Sequence, residues 1–366
     1  MEYIKLCDIA SINAGGTPSR DNNSYWNGQI PWLKISDIKG KYTDSCTEYI
    51  TEEGLNNSSA KYFKKNTILY TIFATIGETS ILKFDATTNQ AIAGIKLIND
   101  NFLVDYLYYY LKSLKKRVKH DSKGVAQNNI NLTYLKKLNV PNVNINIQKQ
   151  IVKDLTNIEE LILRSNKMQE NLDNIVKSQF IEMFGDPIQN EKAWNSSILN
   201  EVTDVRDGTH DSPKYHDRGY PFVTSKNLID GKIDFSTCQF ISEKDYLHFN
   251  DRSRIDDGDI LMPMIGTIGG AIIVKKDREF SIKNVALIKF TKDNTKINRT
   301  FILYILNSDS MNNYFELTKK GGTQKFMALG VIRNIPIIVP PIELQNEFAK
   351  FVNQIDKSKY FGDGIP

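Results

Sequence analysis

Side chains able to do covalent or metal chemistry are thinly scattered along these 366 residues. The histidines, His120, His210, His216 and His248, form no His-Glu-x-x-His pair that would hold zinc from a helix. His210 and His216 fall in one loop containing Pro and Gly, where a metal site is not expected. Cys7, Cys46 and Cys238 lie far apart, with no Cys-x-x-Cys, so neither a zinc site nor a disulfide framework is expected, and the location expected is the cytoplasm. Asp256, Asp257 and Asp259, near Lys275 and Lys276, could suggest a nuclease, but they read as a turn before a strand, and the other half of the chain has Lys64-Lys65 at the matching place. There is no Gly-x-x-x-x-Gly-Lys-[Ser/Thr] phosphate loop. Val339-Pro340-Pro341-Ile342 has the double proline of an amino-methyltransferase tetrad without its polar first and aromatic last residues. The expectation is a binding protein with no catalytic residues, no metal and no cofactor of its own.

The elements that would position any site are written twice. Pro31-Trp32-Leu33-Lys34-Ile35-Ser36-Asp37-Ile38 returns as Pro221-Phe222-Val223-Thr224-Ser225-Lys226-Asn227-Leu228, 190 positions later. Thr75-Ile76-Gly77 returns as Thr267-Ile268-Gly269, and Ala93-Gly94-Ile95-Lys96-Leu97 as Ala286-Leu287-Ile288-Lys289-Phe290, at offsets of 192 and 193. The order is kept and the offset drifts slightly, as loop insertions would make it. The copies should fold alike, while the polar residues near their shared glycines differ.

Each copy opens on a Gly-Thr turn, Gly15-Gly16-Thr17-Pro18 or Asp207-Gly208-Thr209-His210. Strands are predicted over 67–74 and 91–98, and over 259–265 and 285–291, with helices over 102–119 and 299–319. Between the copies, 147–184 has no Gly or Pro, and alternating steps of four and three from Ile151 to Met183 meet seven apolar residues in ten, with polar breaks at Ser165 and Gln169, which predicts a long amphipathic helix or two stacked ones. Leu344, Phe348, Phe351 and Ile355 repeat that spacing in a shorter helix, and the two stripes are expected to pack antiparallel, Ile151, Leu155 and Ile158 against this second set. The expected domains are 1–146, a helical region 147–185, 186–340, and a short helical region 341–366. The fold class is α/β (α+β), two domains of mixed strands and helices in pseudo-two-fold relation. The net charge of +4 permits nucleic-acid binding without requiring it. The N-terminus lacks a signal-peptide pattern and no apolar run approaches a membrane span.

The whole chain resembles the specificity subunits of type I restriction–modification systems. Glu182-Met183-Phe184-Gly185-Asp186-Pro187 ends the central helix as in that family, and Trp32 to Ile38, Phe222 to Leu228 and Val339 to Gln345 resemble its strand-plus-loop and helix-entry strings. The resemblance implies two target-recognition domains, each reading one half of a bipartite site in double-stranded DNA. It implies methyltransferase subunits, two in number, with S-adenosylmethionine, and restriction subunits with ATP and Mg; no membrane is involved. The final helix is shorter than the family usually carries. The rival readings are a stand-alone tandem binding or adaptor protein, and a nuclease, which would need a carboxylate cluster in both copies.

Base edges are read by Arg or Lys at guanine and Asn or Gln at adenine, with Ser and Thr adaptable; phosphates need Lys, Arg and free backbone amides. The candidates in copy one are Gly16, Thr17, Ser19, Arg20, Lys34, Ser36, Thr75, Lys123, Gly124, Gln127 and Asn128. In copy two they are Gly208, Thr209, His210, Lys214, Thr224, Ser225, Lys226, Asn227, Thr267, Lys319, Lys320, Gly322, Thr323, Gln324 and Lys325. The basic, glycine-rich loop 319–325 is the foremost of these; an ordinary helix C-cap is its alternative. Gly77 and Gly269 are expected to be hairpin-turn glycines, and Tyr106, Tyr108, Tyr109 and Tyr110 to pack on the sheet. Trp32 and Phe222 are expected to be half core and half groove wall.

Overall fold

The computed structural model describes residues 2–122, 129–266, 269–290, 295–318 and 326–363, the last four of these by backbone alone. Its contacts divide the chain into two compact units, Met1–Leu163 and Arg164–Pro366.

In the first unit, apolar alternation builds a five-stranded sheet from β1 (Ala10–Ala14), β2 (Tyr42–Thr43), β3 (Ile68–Thr71), β4 (Thr79–Leu82) and β5 (Ile92–Leu97), in the order β1-β5-β3-β4-β2. The central strands β3 and β4 are buried along their whole length, as a sheet covered on both faces requires. A second sheet holds Trp26–Leu33 between Glu48–Ile50 and Ala86–Thr88, the latter running parallel to it. Tyr3–Lys5 pairs antiparallel with Asn139–Pro141, so the unit closes beside its own start.

The second unit repeats the plan. β6 (Asp204–Asp207), β7 (Ile260–Pro263), β8 (Ile272–Ile273) and β9 (Val285–Lys289) form a sheet in the order β6-β9-β7-β8. Tyr220–Thr224 lies between Gln239–Ile241 and the parallel Ser281–Lys283. Asn195–Ile198 closes on Pro336–Val339. Register aligns the copies more finely than sequence does. Ala14 faces Ala93 where Asp207 faces Ala286, so Gly208 matches Gly15 and His210 matches Thr17, one place away from the Gly-Thr alignment.

Each predicted post-sheet helix is two, Val104–Ser113 with Lys115–Asp121 and Arg299–Leu306 with Asp309–Thr318. In the second pair Ser308 starts the new helix by accepting from the Met311 N–H at 3.2 Å. Tyr106, Tyr108 and Tyr109 are buried in the first unit's core, where they pack rather than stack bases.

The central helix α1 runs from Ile145 to Phe184 without interruption and stops at Gly185, whose φ of +74° no β-carbon tolerates cheaply. The final helix α2 spans Ile342–Asp363. The expected pairing of stripes is corrected. Ile151 and Leu155 pack into the first unit's core and Ile158 is exposed. Leu344, Phe348, Phe351 and Ile355 instead meet the end of α1, where Val176, Phe180 and Phe184 are buried. The sense is antiparallel: the Phe184 and Phe348 rings are 5.7 Å apart, and Lys359 Nζ reaches Asp173 at 2.6 Å. The four-three spacing occurs on both sides of the polar breaks at Ser165 and Gln169, and so could not say which part of α1 is covered by α2.

Both helices are pinned by the same device. Gln148 and Gln345 are fully buried. Gln148 Oε1 accepts from the Leu103 N–H at 2.9 Å, and its Nε2 donates to the carbonyls of Asn101 and Val143 at 2.8 and 2.9 Å. Gln345 accepts from the Asn298 N–H at 2.8 Å and donates to Lys296 and Pro340 at 3.1 and 2.8 Å.

Candidate nucleic-acid interface

Loops far apart in sequence meet at one end of the main sheet in each unit. In the first unit the Gly16 N–H donates to Thr88 O at 2.8 Å, Ile72 N–H to Ala91 O at 2.8 Å, and Ile130 N–H to Ile72 O at 3.1 Å. The opening Gly-Thr turn, the loop before β5, the β3–β4 hairpin and the chain leaving 123–128 are therefore neighbours. In the second unit the Thr209 N–H donates to Ile282 O at 3.1 Å, Met264 N–H to Asn284 O at 3.4 Å, and Met327 N–H to Met264 O at 2.9 Å. The same four segments converge, the last being the chain leaving 319–325. Lys123, Gly124, Gln127, Asn128, Thr267, Lys319, Lys320, Gly322, Thr323, Gln324 and Lys325 lie outside the described residues.

Several candidates face outward at or near this end. Ser19, Arg20, Ser36 and Thr75 are exposed in the first unit, as are His210, Lys214 and Lys226 in the second. The Thr17 hydroxyl donates to Gln90 Oε1. His210 bridges two partners, its Nδ1 2.7 Å from Asn284 Oδ1 and its Nε2 3.0 Å from Asp207 Oδ2. The Asp207 carboxylate is only 5 % exposed and is also held by Arg252. Asp207, His210 and Asn284 form one wall of a cleft of about 320 Å³ whose other walls include Met264, Ile265 and Phe326.

Other candidates are spent on the fold. Asn227 is 4 % exposed; its Oδ1 accepts from the Thr224 N–H and hydroxyl, both at 2.9 Å, and its Nδ2 donates to Thr237. Asp37 closes the matching turn on the Lys34 N–H at 2.9 Å. This pair makes the repeated strand-plus-loop string a capped turn. Gly16 and Gly208 are packing glycines: a β-carbon would lie 2.3 Å from Ser59 at the first and from the Ile282 carbonyl at the second. Ser225 Oγ donates to Asn284 O at 3.2 Å and the Thr209 hydroxyl accepts from the Asp211 N–H at 3.0 Å. Trp32 and Phe222 are buried core residues, not groove walls. Gly77 and Gly269 sit in the β3–β4 and β7–β8 turns at φ +88° and +95°, as hairpin glycines do.

A second polar cluster is found, among the described residues, in the first unit. The Arg20 guanidinium lies over the Trp26 ring at 3.6 Å and pairs with Glu48 at 2.6 Å, while Lys34 reaches Glu48 at 2.7 Å. The Lys34 ammonium, helped by Arg20 and opposed by burial, holds the Glu48 carboxyl below its usual range. Arg20, Trp26 and Glu48 edge an open cleft of about 270 Å³ with Asn23, Asn27 and Tyr49.

The acidic turn is a structural knot. Asp256 and Asp259 both bind Lys289 Nζ, at 2.8 and 2.6 Å. Burial pushes the Asp259 carboxyl up, while Lys289 pulls Asp256 down. Among the described residues no group of three His, Cys, Asp or Glu side chains is placed to hold a metal ion. No helix among them is long and apolar enough to cross a membrane.

Sequence reasoning missed Gln90 and Asn284, which stand in the same turn of the two units, between the parallel strand of the second sheet and the last strand of the first. Placing Thr88 to Ile92 over Ile282 to Val285 would have shown an amide in each.

The chain is 27% identical to the MjaIX type I restriction enzyme specificity subunit of Methanocaldococcus jannaschii, over 96% of this chain and 85% of that one. It is 21% identical to the EcoprrI specificity subunit of Escherichia coli, over 97% and 88%. Its fold is similar to that of a type I restriction–modification S subunit from M. genitalium, at 14% identity and a TM-score of 0.53 over 99% of this chain and 91% of that one. A structure described as showing complex assembly and conformational transition of the type I system gives a TM-score of 0.59 at 14% identity, over 99% and 92%. The model of the type I restriction modification DNA specificity domain matches residues 1–173 and again 191–360, once per repeat. This chain, two copies of one fold with different polar tips, belongs to the family of type I restriction–modification DNA specificity subunits.

Proposed function

We propose that each unit reads one half of a bipartite DNA site through the loops at the shared end of its main sheet, and that the chain carries no catalytic step itself. As a specificity subunit it is the DNA-recognition part of a type I complex with methyltransferase and restriction subunits. The observation that carries the finer reading is the repeated convergence of four loops on different side chains: Thr17, Gln90 and Phe73 in one unit, His210, Asn284 and Phe326 in the other. One frame with two polar tips suits two unlike half-sites.

Two methyltransferase subunits would dock on the helical regions, bringing S-adenosylmethionine, and the restriction subunits would bring ATP and Mg. Ile158, Leu161 and Ile162 on the part of α1 in the first unit are half or more exposed, which suits an apolar partner surface. Changing Leu172 and Val176 would be a poor probe of docking, because Val176 is fully buried in the second unit's core. Changing Leu161 and Ile162 to Asp should weaken assembly and leave the thermal melt of the isolated chain in place.

The DNA reading is tested on the basic loop. Lys319, Lys320 and Lys325 changed together to Ala should lower affinity and flatten the salt dependence, by ~0.9 of log–log slope for each phosphate no longer neutralised. Gln324→Ala should change preference at one base pair of the second unit's half-site, by ~1–3 kcal/mol. An unchanged salt slope in the triple variant would make this loop a plain helix cap.

A further inference from the structure

We propose that Gln90 and Asn284 are specificity-determining residues, each reading the adenine of one A·T pair in the half-site of its own unit. This rests on the DNA reading above and names the chemistry of its two tips.

The two amides stand in the same turn of their units. Each lies in the turn that leads into the last strand of the main sheet, β5 or β9. Gln90 is exposed and Asn284 half-buried at the rim of its cleft. Asn284 sits at φ +53°, a left-handed conformation that Asn accepts more readily than most residues. Its backbone is fastened by an N–H to Thr209 O at 3.2 Å and by its carbonyl to Ser225.

In both units the side-chain oxygen already has one partner. Thr17 donates to Gln90 Oε1, and His210 lies against Asn284 Oδ1 at 2.7 Å with Asp207 behind it. An amide oxygen has two lone pairs and its NH₂ two protons. One contact on the oxygen restrains the amide and leaves the second lone pair and the NH₂ for a further partner. That remainder is the bidentate complement of adenine in the major groove, accepting from N6–H and donating to N7. A surface amide without a partner would have more freedom to lose on binding than these restrained ones.

The neighbours fit the other base of the pair. Thymine presents a methyl group in the same groove. Beside Asn284 the cleft carries Ile265 and Phe326, the latter 44 % exposed. In the first unit Phe73, 36 % exposed, follows Ile72, whose N–H bonds the carbonyl next to Gln90. An amide with an adjoining exposed apolar side chain thus occurs at the reading end of both units. A water-filled surface turn would have no need of the second part.

The test uses the full chain in complex with its methyltransferase partner, selecting bound sequences from a randomised DNA library. Asn284→Asp and Gln90→Glu keep shape and oxygen but replace the donor by an acceptor, which suits the cytosine amino group. Each should lower preference for A·T at one base pair by about 5- to 150-fold, move it toward C·G, and leave the other half-site alone. Asn284→Gly keeps the left-handed turn and should only flatten preference at that pair, so it carries the test if the Asp variant fails to fold. Variants that select the wild-type sequence at every position would overturn the proposal while leaving the DNA reading intact. A wild-type complex that selects no sequence at all would overturn the reading on which the proposal rests.

Discussion

At the residue scale, the clearest repeated feature is the buried glutamine at the start of each helix. Gln148 and Gln345, themselves fully buried, each satisfy three backbone groups. Replacing Gln345 by Leu keeps most of the volume and strands an N–H and two carbonyls, so it should cost about 2–4 kcal/mol, read as a lowered urea midpoint. Gln345→Glu keeps the acceptor and loses the donor, and should fall between the two. The Arg20–Glu48–Lys34 cluster makes a pH prediction. The folded carboxyl of Glu48 is held low, chiefly by Lys34. Its contribution is therefore full above the unfolded value, ~4.3, and is lost as pH falls through the lowered folded value. The stability difference between wild type and Glu48→Gln should be flat from neutral pH to about pH 5 and shrink at lower pH. A difference that grows with acidity would contradict the assignment. Residue roles were the least legible part of the sequence. Asn227 has the right type for adenine, but the sequence does not show that its amide closes a turn on Thr224. Gln90 and Asn284 sat in loops with no motif, and only the strand registers bring them to the shared end of the main sheet.

At the element scale, strand and helix positions were readable because their period is set by burial on one or both faces. The runs at 68–71, 92–97, 260–263 and 285–289 fall inside the predicted strands, and α1 matches its predicted span within two residues. What α2 covers was not readable. A repeating apolar stripe has no register of its own, and aromatic shape decided it: Phe180, Phe184, Phe301 and Phe348 interlock with centroids 4.7–5.7 Å apart. Phe348→Ala should cost about 3–5 kcal/mol and loosen α2 in hydrogen exchange while the first unit's amides stay protected. The cysteines report on a separate core of the second unit, around Val223, Phe280 and Ile282. Burial pushes the Cys238 thiol up to about 11, and Cys7 is exposed. Alkylation of the native chain should mark Cys7 and spare Cys238 until the second unit unfolds; early loss of Cys238 would mean that its core is open.

At the scale of the whole molecule, the repeat was legible except for a one-place shift at the opening turns and the unaligned turn before the last strand. It reappears in the strand order, the closing strand pair, the buried glutamine and the convergence of loops. Its functional meaning needs the differences rather than the likeness. Arg20 on Trp26 with Glu48 has no counterpart among the described residues of the second unit, where Tyr220 and Tyr246 stack at 4.0 Å. Two equal frames with unequal tips predict two half-sites of different sequence, separated by base pairs that neither unit reads. The most direct test is to express the chain with its methyltransferase partner and map every methylated site by sequencing. The expected result is one bipartite motif of two unlike halves at a fixed spacing, with Gln90→Glu altering one half and Asn284→Asp the other. A single uninterrupted motif, or one in which either substitution alters both halves equally, would contradict the one-unit-per-half-site reading.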